Sequence, residues 1–318
     1  MSPRIMEEAL LNQASAALRK AALNEVAKQY VLSDAVLFKI LKKAADRYIG
    51  GETLQETISK VKIQNERDFK CSIEFMGEST RTEKDANAAC LEFIRICEAI
   101  RFRGLNATVS LDLSHIGLAI SRDLCVHNLE LICKEALKAD VEVIISAEGT
   151  DRTDAVQEIY KTMAKTHQNV GITLQAYLHR TKDDLADVIR LGGRIRMVKG
   201  AFETPAGLSL PRGEQLDSVY MDYVDRLLSS GHLCSIATHH HELQQQAKKL
   251  VQHYQVSREV YEFESLYGIQ SEQLAVLKSE GHPVKTYFVY GDEWYLYLCN
   301  RLAEYPPNVF LAIMDIVA

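Results

Sequence analysis

Short apolar runs in this 318-residue chain repeatedly end in residues able to bind or react. One closes on Thr173-Leu174-Gln175, another on Arg196-Met197-Val198-Lys199-Gly200-Ala201, a third on Ala237-Thr238-His239-His240-His241, and a fourth on Glu264-Ser265-Leu266. Tyr287 lies in the last run, and Asn300, Arg301 and Glu304 lie in the segment after it. Guanidinium and ammonium groups gathered at one place suit an anionic or electron-rich ligand, to which they donate charge-assisted hydrogen bonds. Arg196 and Lys199 sit poorly in a buried strand unless they meet something anionic, and an arginine in a strand is more often an ion-pair partner than a ligand contact. Gly200 lets a backbone approach a ligand closely. Each residue alone is a weak signal; their placement after successive runs is the stronger one.

Other chemistries compete. His239 and His241 alternate after a run, and such a pair can ligate zinc in a barrel hydrolase. Further ligands would have to come from residues such as His115 or His179, whose spacing does not suit the role. The simpler reading has no metal, makes His239 a cofactor contact, and lets His240 and His241 begin a helix. Cys299 has no evident base beside it, and buried inert cysteine is commoner than a nucleophile. Trp294, Tyr295 and Tyr297 at helical spacing read as packing.

Periodicity shows what must position these residues. Residues 5–62 read as helix, with Ser33 or Asp34 capping a second helix, Gly50-Gly51 ending it and Thr53 opening a third. From residue 71 the pattern changes. Strands are expected at 71–75, 107–111, 141–145, 171–175, 194–198, 233–237, 260–263 and 284–289. Helices are expected near 83–103, 124–138, 152–167, 181–191, 213–230, 241–255 and 271–281, with a last one at 292–304. Strict βα alternation implies a parallel sheet, and about 235 residues suit a closed (β/α)8 barrel. A doubly wound open sheet would show G-x-G-x-x-G after its first strand, and none is present. The expected class is therefore α/β, a distorted (β/α)8 TIM-like barrel with an N-terminal helical extension. The segments divide as 1–66 (helical) and 67–318 (barrel with a C-terminal lid helix). A barrel places its chemistry at the carboxyl ends of the strands, where the residues above fall.

Composition narrows the function classes. Hydrophobic residues are 47% and charged residues 25%, near the globular average. The net charge of −6 offers no basic surface to nucleic acid. Seven cysteines, an odd number without C-x-x-C, fit a reducing compartment. The first thirty residues lack a signal-peptide core, and no run approaches the ~20 apolar residues of a membrane helix. A cytoplasmic enzyme or binding domain without integral membrane contact is expected.

The strings TLQAYLHRT, IRMVKGAF, IATHHHEL, YEFESLYGI and YFVYGDEWYLYLCNRLAEYPPN, with VSLDLSHIG more weakly, occur in that order apart from the last, which comes first. Through them the chain resembles the proline dehydrogenase family, including the flavin-dependent domain of proline utilisation A, over roughly residues 70–310. The resemblance implies non-covalent FAD in a distorted barrel, with the last helix over the strand mouths. It implies that Gln175 and Arg196 meet the flavin ring, with Arg196 near N5. Lys199, Gly200, Ala201, Thr238 and His239 would hold the rest of the cofactor. Leu266 and Tyr287 would wall the substrate, and Glu304 would brace the last helix. The implied reaction is hydride transfer from the carbon beside a neutral cyclic amine to flavin N5, giving a cyclic imine. A quinone or other electron acceptor then reoxidises the flavin. Peripheral contact with a membrane and homo-oligomerisation are both compatible with that chemistry.

The chain departs from the family where the proline carboxylate is clamped. Typical members place a lysine in a V-K-L-S string after strand two, an aspartate in I-D-M-E after strand three, and two consecutive arginines on the last helix. Here those places hold Asp112, Ser146 and Asn300, and only Arg301 remains. Lysine to aspartate changes the local charge by two. Two like charges ~4 Å apart cost about 4 kcal/mol at an effective dielectric of 20, on the order of a thousandfold in binding. Arg301 can offset this or pair with Asp112. Three readings follow, in this order: a substrate whose carboxylate is masked, absent or accompanied by a second cation; a proline dehydrogenase that binds proline weakly; a flavin-binding paralogue with little catalysis. On the first, Arg196, Tyr287, Arg301 and Asp112 carry the catalytic roles, and Asp112, Ser146, Leu266, Tyr287, Asn300 and Arg301 contact the substrate.

Overall fold

The computed structural model describes residues 3–77 and 79–317, so Met1, Ser2 and Ala318, the outer ends of the two segments, lie outside the described residues. Eight strands follow the apolar runs: β1 (Lys70–Phe75), β2 (Ala107–Leu111), β3 (Val143–Ile145), β4 (Val170–Gln175), β5 (Ile195–Val198), β6 (Cys234–Ala237), β7 (Tyr261–Leu266) and β8 (Val284–Tyr290). They pair in chain order, and β8 closes on β1 in parallel, Lys70 opposite Lys285 and Phe75 opposite Tyr290. The α/β class and the closed barrel stand as the alternation implied.

Two strands differ from the periodic expectation by more than one residue at an end, for physical reasons. β3 starts late because the Val141 N–H is taken by the Ala136 carbonyl, closing the preceding helix. β7 runs past residue 263 because Glu264, Ser265 and Leu266 pair with Lys285, Thr286 and Tyr287 of β8. The three residues read as following a strand are therefore in it.

Period-2 alternation divides each strand between two environments. Cys71, Ile73, Val109, Leu111, Ile172, Ile195 and Phe263 join the main hydrophobic cluster under the outer helices. Their neighbours point into the lumen, which is polar. Ser72 meets Ser110 at 2.8 Å. Lys285, fully buried, lies 2.5 Å from Glu262 and 3.0 Å from Glu264. Arg194 pairs with Glu142 at 2.8 Å. Burial alone would raise the Glu262 carboxyl, but Lys285, Arg194 and Lys70 outweigh it and hold it well below the usual range. Barrels of this type are commonly filled by branched aliphatic residues; this one is filled by paired charges.

The N-terminal region holds four helices, α1 (Pro3–Ala22), α2 (Glu25–Ser33), α3 (Ala35–Asp46) and α4 (Leu54–Glu66). The third-helix start expected at Thr53 is a capping box with Glu56, and Asp34 caps α3 through the Val36 and Leu37 N–H groups. The extra break comes from Asn24, whose side chain accepts from Ala27 N–H. Seven helices follow the first seven strands: α5 (Glu83–Arg103), α6 (Arg122–Leu137), α7 (Thr153–Met163), α8 (Thr181–Val188), α9 (Glu214–Ser229), α10 (His241–Tyr254) and α11 (Ser271–Ser279). α12 (Trp294–Glu304) packs against α1 and α3 rather than beside β8, whose flank is covered by α4. Trp294, Tyr295, Leu298 and Leu302 join Ala22, Tyr48 and Ile49 in a second apolar cluster. That displacement is the distortion of the barrel. Beyond the expected lid helix the chain forms a further helix, α13 (Asn308–Val317), begun after Pro306-Pro307.

Candidate active site

Arg196 of β5 stands at the centre of the strand mouth. Its Nε donates to Thr173 Oγ1 at 2.9 Å, and Nη1 donates to Ser110 at 3.0 Å and Glu264 at 3.3 Å. Nη2 donates to Ser146 at 3.1 Å. A guanidinium has five N–H donors, so these four bonds leave one Nη2 hydrogen for a ligand. Burial alone would lower its pKa, but Glu264, Tyr287 and Glu74 outweigh burial and keep it charged. It is thus the ion-pair partner of Glu264, with one N–H left over.

Around it four strands close a ring. Tyr287 of β8 lies under the guanidinium, 4.8 Å from ring centre to Cζ. Its hydroxyl donates to Glu74 Oε2 of β1. Ser146, just past β3, donates to the same oxygen at 2.9 Å and accepts from Arg196. Glu74 was absent from the residues singled out in the sequence. The available signal was a carboxylate two residues after Ser72, on the lumen-facing parity of an otherwise apolar strand. Asp112, just past β2, is half-buried and close enough to act on the Tyr287 hydroxyl.

The lid helix α12 covers this ring. Arg301 pairs with Glu304 of the same helix at 2.5 Å. The Arg301 guanidinium lies 4.8 Å from the Tyr297 ring centre. Arg301 Nε and Tyr297 Oη are both buried without a partner. Tyr297 feels Glu74, and Arg301 feels Tyr287, so these unpartnered groups lie above the ring. Asn300 is half-buried on the same helix.

The other expected residues fall nearby. Buried Gln175 ends β4 and donates to the Glu148 carbonyl at 3.2 Å. Thr238 is buried and its hydroxyl accepts from His240 N–H. Lys199 pairs with Asp217 of α9 and lies 3.1 Å from His240 Nδ1, so its charge is already balanced. Ala201 is exposed. At Gly200, where φ is +112°, a Cβ would lie 2.2 Å from the Tyr177 ring, so packing within the chain also requires the glycine. Leu266 ends β7, and its N–H donates to His239 Nε2 at 3.0 Å.

That last bond bears on the zinc reading. A metal-bound imidazole nitrogen must offer its lone pair to the ion, and the His239 Nε2 lone pair faces Leu266. His241 opens α10 and is exposed. Among the described residues no cluster of His, Cys, Asp or Glu could hold a metal, and no helix is long and apolar enough to cross a membrane. Cys299 is buried, and burial pushes its thiol up, away from the reactive thiolate.

His239 is lowered to about 4 by burial and by Arg301, and His115 to about 4 by burial. Each stays neutral in the folded chain while the unfolded chain takes up a proton near pH 6.5. Stability therefore falls as pH drops from 6.5 towards 4, by about 2 kcal/mol per histidine at pH 5. Urea unfolding at pH 7 and pH 5 should show the loss, and His239→Gln should remove its share of it.

Over residues 56–308 the chain matches the family described as proline dehydrogenase. The chain belongs to the proline dehydrogenase family. These are oxidoreductases acting on CH–NH bonds. The chain is 31% identical over 273 residues to proline dehydrogenase 1 of Bacillus subtilis (strain 168), covering 86% of this chain and 90% of that protein. It is 29% identical over 282 residues to the proline dehydrogenase of Deinococcus radiodurans, covering 86% and 90%. Its fold is similar to the crystal structure of proline utilization A from Bdellovibrio bacteriovorus, at a TM-score of 0.77 and 14% identity, over 93% of this chain. The chain spans 41% of that structure's length.

Proposed function

We propose that this chain is a flavin-dependent dehydrogenase that oxidises a proline-like cyclic amine to a cyclic imine, on a substrate without a free carboxylate. The observation that carries the reading is Arg196, a buried permanent cation at the strand mouth with one N–H still to give. A flavin ring offers acceptor atoms to such a donor, and the unpartnered Arg301 Nε and Tyr297 Oη above it also suit a polar ligand. Gln175, Arg196, Lys199, Gly200, Ala201, Thr238 and His239 would hold FAD. When bound, FAD supplies the two-electron acceptor. This chain's residues supply position and polarity: Tyr287 and Leu266 wall the amine, and α12 excludes water. The altered carboxylate side rests on Asp112, Ser146 and Asn300, where the family's clamp would be cationic. An electron acceptor of quinone or other type would complete the cycle.

The test is a spectrum followed by a substrate panel. Purified protein should show flavin absorbance that bleaches anaerobically with L-prolinamide, proline esters or pyrrolidine. Colourless protein that takes up no added FAD would overturn the flavin reading. Efficient turnover of free L-proline, saturating at low millimolar levels or better, would overturn the altered substrate.

A further inference from the structure

The mouth wall formed by β8, β1, β2 and β3 has a single hydrogen-bonding polarity. A phenol and a serine hydroxyl each have one hydrogen to give. Tyr287 gives its hydrogen to Glu74 Oε2, and Ser146 gives its own to the same oxygen at 2.9 Å. Ser146 then receives Arg196 Nη2. What both hydroxyls keep for a ligand is lone pairs. Glu74 Oε2 is the acceptor in both bonds, so neither hydroxyl has its hydrogen free. A substrate carboxylate is itself acceptor-only, so against this wall neither side has a hydrogen to share.

We infer that the group facing this wall is a hydrogen-bond donor, an amide N–H or an ammonium, at the position where a free amino acid carries its carboxylate, and that Glu74 determines this specificity by holding the hydrogens of Tyr287 and Ser146. The inference rests on the amine-oxidation reading of the same mouth and deepens it to a substrate class. A buried polar site discriminates strongly against a ligand that leaves its groups unpaired, by on the order of a hundredfold or more.

Glutamine at position 74 reverses the polarity. Its amide can donate where the carboxylate accepted, which frees the Tyr287 and Ser146 hydrogens to turn towards a ligand. Aspartate keeps an acceptor. The experiment pairs ligands that differ only in this polarity. Calorimetric titration of the full-length holoprotein with cyclopentanecarboxamide and cyclopentanecarboxylate, which lack the reacting amine, reads binding without turnover. The amide should bind about a hundredfold more tightly than the carboxylate. Glu74→Gln should narrow that ratio at least tenfold, and Glu74→Asp should preserve its direction. The same shift should appear in kcat/KM for L-prolinamide against L-proline. Equal binding of the two cyclopentane ligands by the unaltered protein overturns the inference, as does an unchanged ratio in folded Glu74→Gln. If that variant does not fold, the ratio in the unaltered protein decides alone. Absence of flavin bleaching by either amine would instead count against the amine-oxidation reading, while the cyclopentane pair still reports the wall.

Discussion

Lys285→Met is expected to lower the stability of the fold by about 3–5 kcal/mol, the usual cost of removing one partner from a buried ion pair. Lys285 is fully enclosed in the lumen, 2.5 Å from Glu262 and 3.0 Å from Glu264, and it also donates to Ser235. Methionine is close to its length and loses its charge, so Glu262 keeps only the cations Arg194 and the more distant Lys70, and Glu264 keeps Arg196. Glu264 also pairs with Arg196 at 3.3 Å, so the loss reaches the mouth. Burial by itself would lower the Lys285 ammonium, but Glu262 and Glu264 outweigh it and raise it, so the residue is charged at any working pH. Glu262 has a depressed folded pKa, so its stabilisation is present above the unfolded carboxyl value of 4.5 and lost as pH falls below it. With Lys285 gone that depression shrinks, and the acid transition should move to higher pH. Equilibrium urea unfolding at neutral pH measures the first effect and a pH titration of ellipticity the second. A loss under about 1 kcal/mol would mean the lumen charges relax without Lys285. Lys285→Met with Glu262→Met should recover part of the loss, because the pair is then replaced rather than broken.

The double variant Asp112→Lys, Asn300→Arg should raise kcat/KM for L-proline by up to about a thousandfold. Two like charges ~4 Å apart cost about 4 kcal/mol at an effective dielectric of 20, and 1.4 kcal/mol is a tenfold change. Asp112 faces the Tyr287 side of the mouth, and Arg301 is held by Glu304. On the proposed reading, a lysine at 112 removes a negative charge from the carboxylate side, and a second guanidinium supplies a cation beside the paired one. The gain should appear mainly in KM, with a matching gain in calorimetric affinity for cyclopentanecarboxylate. A change of less than tenfold in both would show that these positions do not set substrate choice.

Much of this architecture is legible in one dimension. The β/α period placed all eight strands within a few residues, because alternation of buried and lumen-facing positions is a local property of a strand. The helix starts at Asp34 and Thr53 were legible for the same reason, since a cap is completed by residues two or three positions on. The helix Asn308–Val317 was not, because it is held by packing against α3 and α12; the break at Asn24 is a local cap on Ala27 N–H that the helical reading of 5–62 passed over.

The sequence by itself determined the barrel, the family strings, and an acidic residue, Asp112, directly after strand two. Those depend on residue type and order along the chain. Only the tertiary structure decided which polar groups face one another across the lumen. Glu74 and Tyr287 are separated by 213 positions, and Arg196 and Glu264 by 68; no local signal links such pairs. Closure of the barrel brings them within hydrogen-bond range, and the direction of each donated hydrogen then sets the polarity of the mouth. For the same reason the close packing of Gly200 against the Tyr177 ring is visible only in the folded chain.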